Sequence, residues 1–184
     1  VVLAVVVMML FMDSFLIPII FLASIGMAIL YNLGSNYFLG EISYITKALS
    51  AILQLGVTMD YSIFLWHSYN EQKVRFDGDK ERAMAHAISN SIISVASSSI
   101  TTIAGFLSMC FMSFTLGADL GIVMAKGVVF GLIGCVTILP SLILVFDKAI
   151  EKTRHKQLMP KFDKVAKFIT KRSWIFLIIF VLLL

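Results

Sequence analysis

Apolar residues run unbroken through long stretches of this chain, and polar residues are confined to short intervals between them. Residues 1–12 carry no charge, and residues 14–40 carry none either. A bilayer core about 30 Å thick needs about 20 such residues per spanning helix. The pattern predicts a partial span at 1–12, complete spans at 15–33, 47–69, 80–112 and 119–146, and the start of another at 173–184. Pro18 falls in the first turn of its span, where a missing N–H costs little. Gly34-Ser35-Asn36 closes that span, and Asp77-Gly78-Asp79 precedes the span from residue 80, which is long enough to stand proud of the bilayer by two or three turns. Pro140 sits near the end of the 119–146 span.

Composition agrees with the pattern. Hydrophobic residues make up 59% of the 184 and charged residues only 14%, against about 45–50% and about 25% in soluble domains. The expected fold is therefore an all-α membrane protein, a polytopic helical bundle. Two cysteines and three prolines argue against a disulfide scaffold or a proline-rich linker. The chain opens inside an apolar run without an initiator Met or a basic flank, which is unlike a signal peptide. It closes about a dozen residues into the next run, so both ends are expected to be cut inside transmembrane helices.

Charge sets the orientation. The loop 70–82 holds four basic residues and the segment 147–172 holds nine, so 13 of the 15 lie on one side. The positive-inside rule places both segments in the cytoplasm. Trp66, Tyr69 and Trp174 then belong to the inner interface, and Tyr37, Phe38 and Tyr44 to the outer one. The segment 147–172 reads as a basic cytoplasmic linker. Val165, Phe168 and Ile169 recur at helical spacing between its lysines, which fits an interfacial helix on anionic lipid better than nucleic-acid binding.

Two ionisable residues remain inside the spans, Asp60 and Lys126. Each costs about 2.5–3.5 kcal/mol near a helix centre, so each needs a partner or an aqueous cavity. Their spans run in the same direction, and an Asp60–Lys126 ion pair that protonation would break is one expectation. A static pair, or a lysine snorkelling outward, is the plainer alternative. Gly56, one turn before Asp60, is expected to leave room for a neighbouring helix. On the 80–112 span, Ser94, Ser98 and Thr102 recur at i,i+4 spacing. Tight packing by small residues explains such a stripe, and a polar wall for a proton path explains it as well. Gly117-x3-Gly121 and Gly127-x3-Gly131 are further close-packing signals. No Cys/His spacing suits a metal, no phosphate-binding glycine loop is present, and no nucleophile–base pair stands out, so neither an enzyme nor a cofactor is expected.

The run Gly56-Val57-Thr58-Met59-Asp60-Tyr61-Ser62-Ile63-Phe64-Leu65, then Tyr69-Asn70-Glu71 and Gly78-Asp79-Lys80-Glu81-Arg82-Ala83, resembles the MMPL family of the resistance–nodulation–division (RND) superfamily. Asp13-Ser14-Phe15 through Pro18, and Thr137 through Pro140-Ser141, are similar to further family segments. Gln54 or Leu55 stands where another glycine is common, and Asn70-Glu71-Gln72 replaces a more charged stretch. The resemblance implies half of an RND-type transmembrane domain, from the second helix to the start of the seventh, in a bacterial cytoplasmic membrane. It implies proton-driven export of lipids or hydrophobic compounds, with protons as the coupling ion. A second half of the same polypeptide would be a partner, and self-association is an open option. By position, Asp60 and Tyr61 match the family's proton-relay pair, and Ser98 falls about where a relay-lining serine occurs, with Ser97 and Ser99 in the same range. Lys126 departs from the usual small or apolar residue. A protein-export motor like SecD and SecF, and a non-transporting sterol-sensing-type domain, are the competing readings.

Overall fold

The computed structural model describes residues 8–9, 12–39, 42–112 and 115–154, together with 168, 170–172 and 174. Five helices form within them: α1 (Leu16–Ser35), α2 (Tyr44–Arg75), α3 (Lys80–Ser108), α4 (Thr115–Val136) and α5 (Ile138–Lys152). Short 3-10 turns follow α1 and α3. Among the described residues there is no strand, only an isolated bridge between Ser14 and Arg154. Helices α1, α2 and α3, and the joined α4–α5, are each long and apolar enough to cross a membrane. The chain is an all-α, multi-pass membrane protein. Most of the 1–12 span, the linker beyond residue 154 and the span from 173 lie outside the described residues. So does the interfacial helix expected around Val165 and Ile169, of which only Phe168 is described.

Helix α2 is longer than the span expected for it, starting three residues earlier and ending six later. It stops where Asp77 and Gly78 take positive φ angles of 50° and 89°, a left-handed turn that glycine adopts without strain. Asp79 then caps α3, its Oδ1 accepting from the Arg82 N–H at 3.1 Å, which satisfies one orphan donor of the first turn. The expected 119–146 span is divided. Helix α4 ends at Val136 and α5 begins at Ile138, because Pro140 has no N–H to give the carbonyl one turn back. The hydroxyls of Thr137 and Ser141 bond back to Ile133 O and Thr137 O at 2.6 and 2.8 Å, the local pattern that bends membrane helices.

The packing logic is that of a bilayer. Thr46, Ser50, Gln54, Thr58 and Ser62 recur every fourth residue along α2 and are all buried, whereas Ile45, Ile52, Leu53 and Phe64 are exposed. In lipid the driving force is close helix contact and internal hydrogen bonding, since the surroundings are as apolar as leucine. Helix α4 supplies the contact. A Cβ on Gly127 would lie 2.6 Å from Asn32 Nδ2 and 3.0 Å from Gln54 Oε1, and one on Gly131 would lie 2.6 Å from Thr58 Oγ1. Gly121 likewise sits against Phe106 O of α3.

A polar knot crosses this seam. Asn32 Nδ2 of α1 donates to Gln54 Oε1 at 2.8 Å and to Val123 O at 3.2 Å. Gln54 Nε2 in turn donates to Gly127 O at 3.0 Å. Three helices are thereby joined by two carboxamides at the N-terminal half of α2.

At the lysine-rich end a second polar cluster does the same. Asp147 of α5 is 1% exposed. Its Oδ1 accepts from Tyr69 Oη at 3.0 Å and Lys73 Nζ at 2.9 Å, and Oδ2 pairs with Lys80 Nζ at 2.5 Å. Lys73 also reaches Glu151 at 2.7 Å. Ser14 Oγ and Thr153 Oγ1 are 2.6 Å apart, and Arg154 pairs with Asp13 at 3.5 Å. Asp147 lies just past the apolar stretch. Burial pushes its carboxyl up, but the contacts with Lys80, Lys73 and Tyr69 outweigh burial and hold it below the ordinary aspartate value.

Two predictions follow from this packing. Replacing Gly127 by Val should lower stability by about 1–3 kcal/mol through overpacking. Gly56→Ala, where a Cβ meets nothing within 4 Å, should leave it unchanged. Thermal unfolding in detergent compares the two. A carboxyl depressed in the folded state contributes stability that is present above its unfolded value and lost as pH falls through the folded one. Asp147→Asn should therefore lower the melting temperature by a few degrees at pH 7. The gap should close as pH drops below the ordinary value of 3.8; a gap that persists at that acidity would count against the ion-pair origin.

Candidate functional site

The face of α2 opposite the polar knot carries different chemistry. Successive helix residues turn by about 100°, so Asp60 points away from Thr58 by roughly 200°. Thr58 is packed on Gly131 of α4, and Asp60 is correspondingly exposed on the other side. Gly56 and Phe64, one turn either way, share that exposed face.

Helix α3 runs antiparallel beside α2 and completes a groove of about 340 Å³. Val57, Asp60, Tyr61 and Phe64 line it from α2, and Ser94, Val95, Ser98 and Thr102 from α3. The i,i+4 stripe Ser94, Ser98 and Thr102 thus faces the intramembrane carboxylate. Asp60 lies sixteen residues from the first residue of α2 and fifteen from the last, close to its midpoint. Tyr61 is buried at the groove wall, and its hydroxyl has no hydrogen-bond partner among the described residues. Thr102 Oγ1 donates to Ser98 O at 2.9 Å, which leaves its lone pairs available to the groove.

The geometry resolves the choice among three consecutive serines. Ser98 lines the groove. Ser99 is fully buried and donates to Val95 O at 2.7 Å, and Ser97 donates to Ile93 O on an exposed face.

Three sequence expectations are placed differently. The Asp60–Lys126 ion pair is not formed. Lys126 donates instead to Asn36 Oδ1, at the C-terminal end of α1, and no ion pair among the described residues includes Asp60. The reason is azimuthal. Lys126 precedes Gly127 on the helix that packs the Gln54–Thr58 face, so α2 itself stands between the two charges. The lysine leans toward the N-terminal end of its helix, the direction in which helical side chains point. Gly56 packs against no helix, since a Cβ there meets nothing within 4 Å; it keeps the Asp60 face open. Ser94 and Thr102 line the groove rather than a tight seam, and the close approaches fall to Gly121, Gly127 and Gly131 of α4.

Sequence reasoning passed over the buried row Thr46, Ser50, Gln54, Thr58 and Ser62. Its signal was available, as an i,i+4 polar repeat inside an otherwise apolar span. It also passed over Asp147, which reads as the first residue of the basic linker and is in fact the most enclosed charge described.

An aspartate on the outer face of a bundle cannot rest against hydrocarbon; it requires protein or water over it. The groove holds one carboxyl and four hydroxyls within the same cleft, and no cation among the described residues pairs with that carboxyl. No metal-binding group of His, Cys, Asp or Glu forms among the described residues.

Comparison with known proteins adds a family and a set of relatives. The model of the MMPL family matches residues 1–176. The chain is 33% identical over 98 residues to the putative membrane protein MJ1562 of Methanocaldococcus jannaschii, covering 53% of this chain and 25% of that protein. It is 31% identical over 124 residues to the putative membrane protein ActII-3 of Streptomyces coelicolor, covering 67% and 17%. It is 28% identical over 102 residues to the hopanoid transporter HpnN of Rhodopseudomonas palustris, covering 55% and 12%. The matched stretches thus span a quarter or less of these relatives. No solved structure matches the chain.

Proposed function

The chain belongs to the MMPL family, and from that premise we propose that it forms part of the transmembrane motor of a proton-driven exporter of lipids or hydrophobic compounds. The observation that carries the reading is the groove: among the described residues the only acidic side chain in its lining is Asp60, with Tyr61, Ser94, Ser98 and Thr102 around it. The relative named as a hopanoid transporter supports a lipidic cargo.

In this mechanism Asp60 takes up a proton from the outer side of a bacterial cytoplasmic membrane and releases it to the cytoplasm. Hydroxyls can both accept and donate, so Tyr61, Ser94, Ser98 and Thr102 can pass a proton or hold a water that does. Neutral Asp60 tolerates an apolar neighbour over the groove, whereas charged Asp60 demands a polar one. That difference is the free energy which shifts the helices between two arrangements. Further helices of the same transporter would cover the groove. Lys126 has no part in the relay and ties α4 to the end of α1.

Replacing Asp60 by Asn keeps size and hydrogen bonding but removes the titrating proton. In the full-length protein this variant should insert at normal levels and export nothing above background, while Asp60→Glu retains part of the activity. The assay follows lipid export by intact cells with and without a protonophore. Wild-type export that ignores the protonophore, or Asn-variant export at the wild-type rate, would sink the proposal.

A further inference from the structure

We propose that Asp147 is a positioning residue for the groove: its single carboxylate sets the register between the helix that carries Asp60 and the helix that carries Ser94 and Ser98. The inference rests on the proton-carrying reading of Asp60 and adds to it a residue outside the groove, on a helix that contributes nothing to its lining.

The geometry divides the carboxylate between two helices. Oδ1 holds the last turns of α2 through Tyr69 at 3.0 Å and Lys73 at 2.9 Å. Oδ2 holds Lys80, the first residue of α3, at 2.5 Å. Lys73 lies thirteen residues beyond Asp60, and Ser94 lies fourteen beyond Lys80. At about 1.5 Å per residue both distances are roughly 20 Å. The two antiparallel helices are therefore pinned at equal axial distance from the level where Asp60 faces the hydroxyls. A slip of one residue would move Asp60 by about 1.5 Å past α3 and turn it by about 100°.

The clamp is stiff because Asp147 is almost wholly buried and both its oxygens are engaged. Removing its charge leaves the ammonium groups of Lys73 and Lys80 facing one another. Glu151 pairs directly with Lys73, at 2.7 Å, and acts on Lys80 only from a distance. Like charges so placed drive the ends of α2 and α3 apart. Helix α5 brings the carboxylate to this point from below the break at Thr137, and its own end is fastened separately, by Thr153 to Ser14 and Arg154 to Asp13. Losing the clamp therefore loosens the α2–α3 register, leaving Ser68 Oγ on Ala87 O at 3.4 Å and Phe76 stacked on His86, without releasing α5 from the turn before α1.

The test reads Asp60 directly. Dicyclohexylcarbodiimide, an apolar reagent that adds to protonated carboxyls, is applied to the full-length protein in membrane vesicles across a range of pH. Labelling of the Asp60 peptide is quantified by mass spectrometry, with Asp60→Asn as the blank. The wild type should label less as pH rises. Asp147→Asn should displace that profile by half a pH unit or more, about a threefold change in the ratio of protonated to ionised carboxyl at the wild-type midpoint. Asp147→Glu should restore it, and Thr153→Ala, which touches neither α2 nor α3, should leave it in place. A profile for Asp147→Asn that superimposes on the wild type would overturn the clamp. Should that variant fail to insert, Lys80→Met removes the more exposed half of the clamp and carries the same expectation and the same refutation. Absence of Asp60 labelling in the wild type at every pH would instead overturn the proton-carrying reading beneath it.

Discussion

The structure depends on the hydrogen bonds that Gln54 makes in both directions. Its Oε1 accepts from Asn32 of α1 and its Nε2 donates to Gly127 O of α4. Such bonds contribute on average only about 0.6 kcal/mol each within membranes, so this knot is a device of direction more than of strength. It points one face of α2 at α1 and α4. Gly127 and Gly131 make that orientation tight, because any side chain at either position would overlap Asn32, Gln54 or Thr58. Once this face is assigned, Asp60 has no freedom left: two residues past Thr58, it must emerge on the far side.

Two polar clusters then govern α2 in different ways. The carboxamide knot sets its rotation in the N-terminal half, and the Asp147 cluster holds its lysine-rich end. Between them the helix carries apolar residues toward lipid and hydroxyls toward its neighbours, the reverse of a soluble amphipathic helix. The same reversal explains why the break at Thr137 is tolerated. Thr137 and Ser141 can satisfy carbonyls locally with their own hydroxyls, which relieves the demand that every backbone group be paired inside the bilayer.

Much of this was legible in the sequence, and what was not shares one cause. Span number, helix type and the intramembrane position of Asp60 follow from counting apolar residues. The hydroxyl stripe Ser94, Ser98 and Thr102 follows from i,i+4 spacing. Spacing says which residues share a face, however, and is silent on what that face meets. Lys126 and Asp60 looked like partners because both are charged and both lie in parallel spans; which sides of α2 they occupy is a property of packing. Gly56 and Gly127 have the same composition signal, yet one opens a groove and the other closes a seam. Asp147 was hidden by its company, since an acidic residue beside Lys148 at the head of a basic linker resembles solvated surface. Its enclosure arises only when α2, α3 and α5 converge.

If Asp60 is the proton carrier, the arrangement also says which part of the bundle can respond to its charge. The face of α2 against α1 and α4 is held by directional bonds and by glycine contacts with no slack, and neither kind of contact senses a proton on the opposite face. The groove side differs. Val57, Phe64, Val95 and the hydroxyls of α3 meet Asp60 across open volume, so their arrangement can change without breaking a bond shown here. Motion powered at Asp60 would then displace whatever covers the groove, together with the α3 side chains that face it, because Gly121 against Phe106 O keeps the far end of α3 on α4. At the other end, where α2 and α3 are joined, a single buried carboxylate is shared between them.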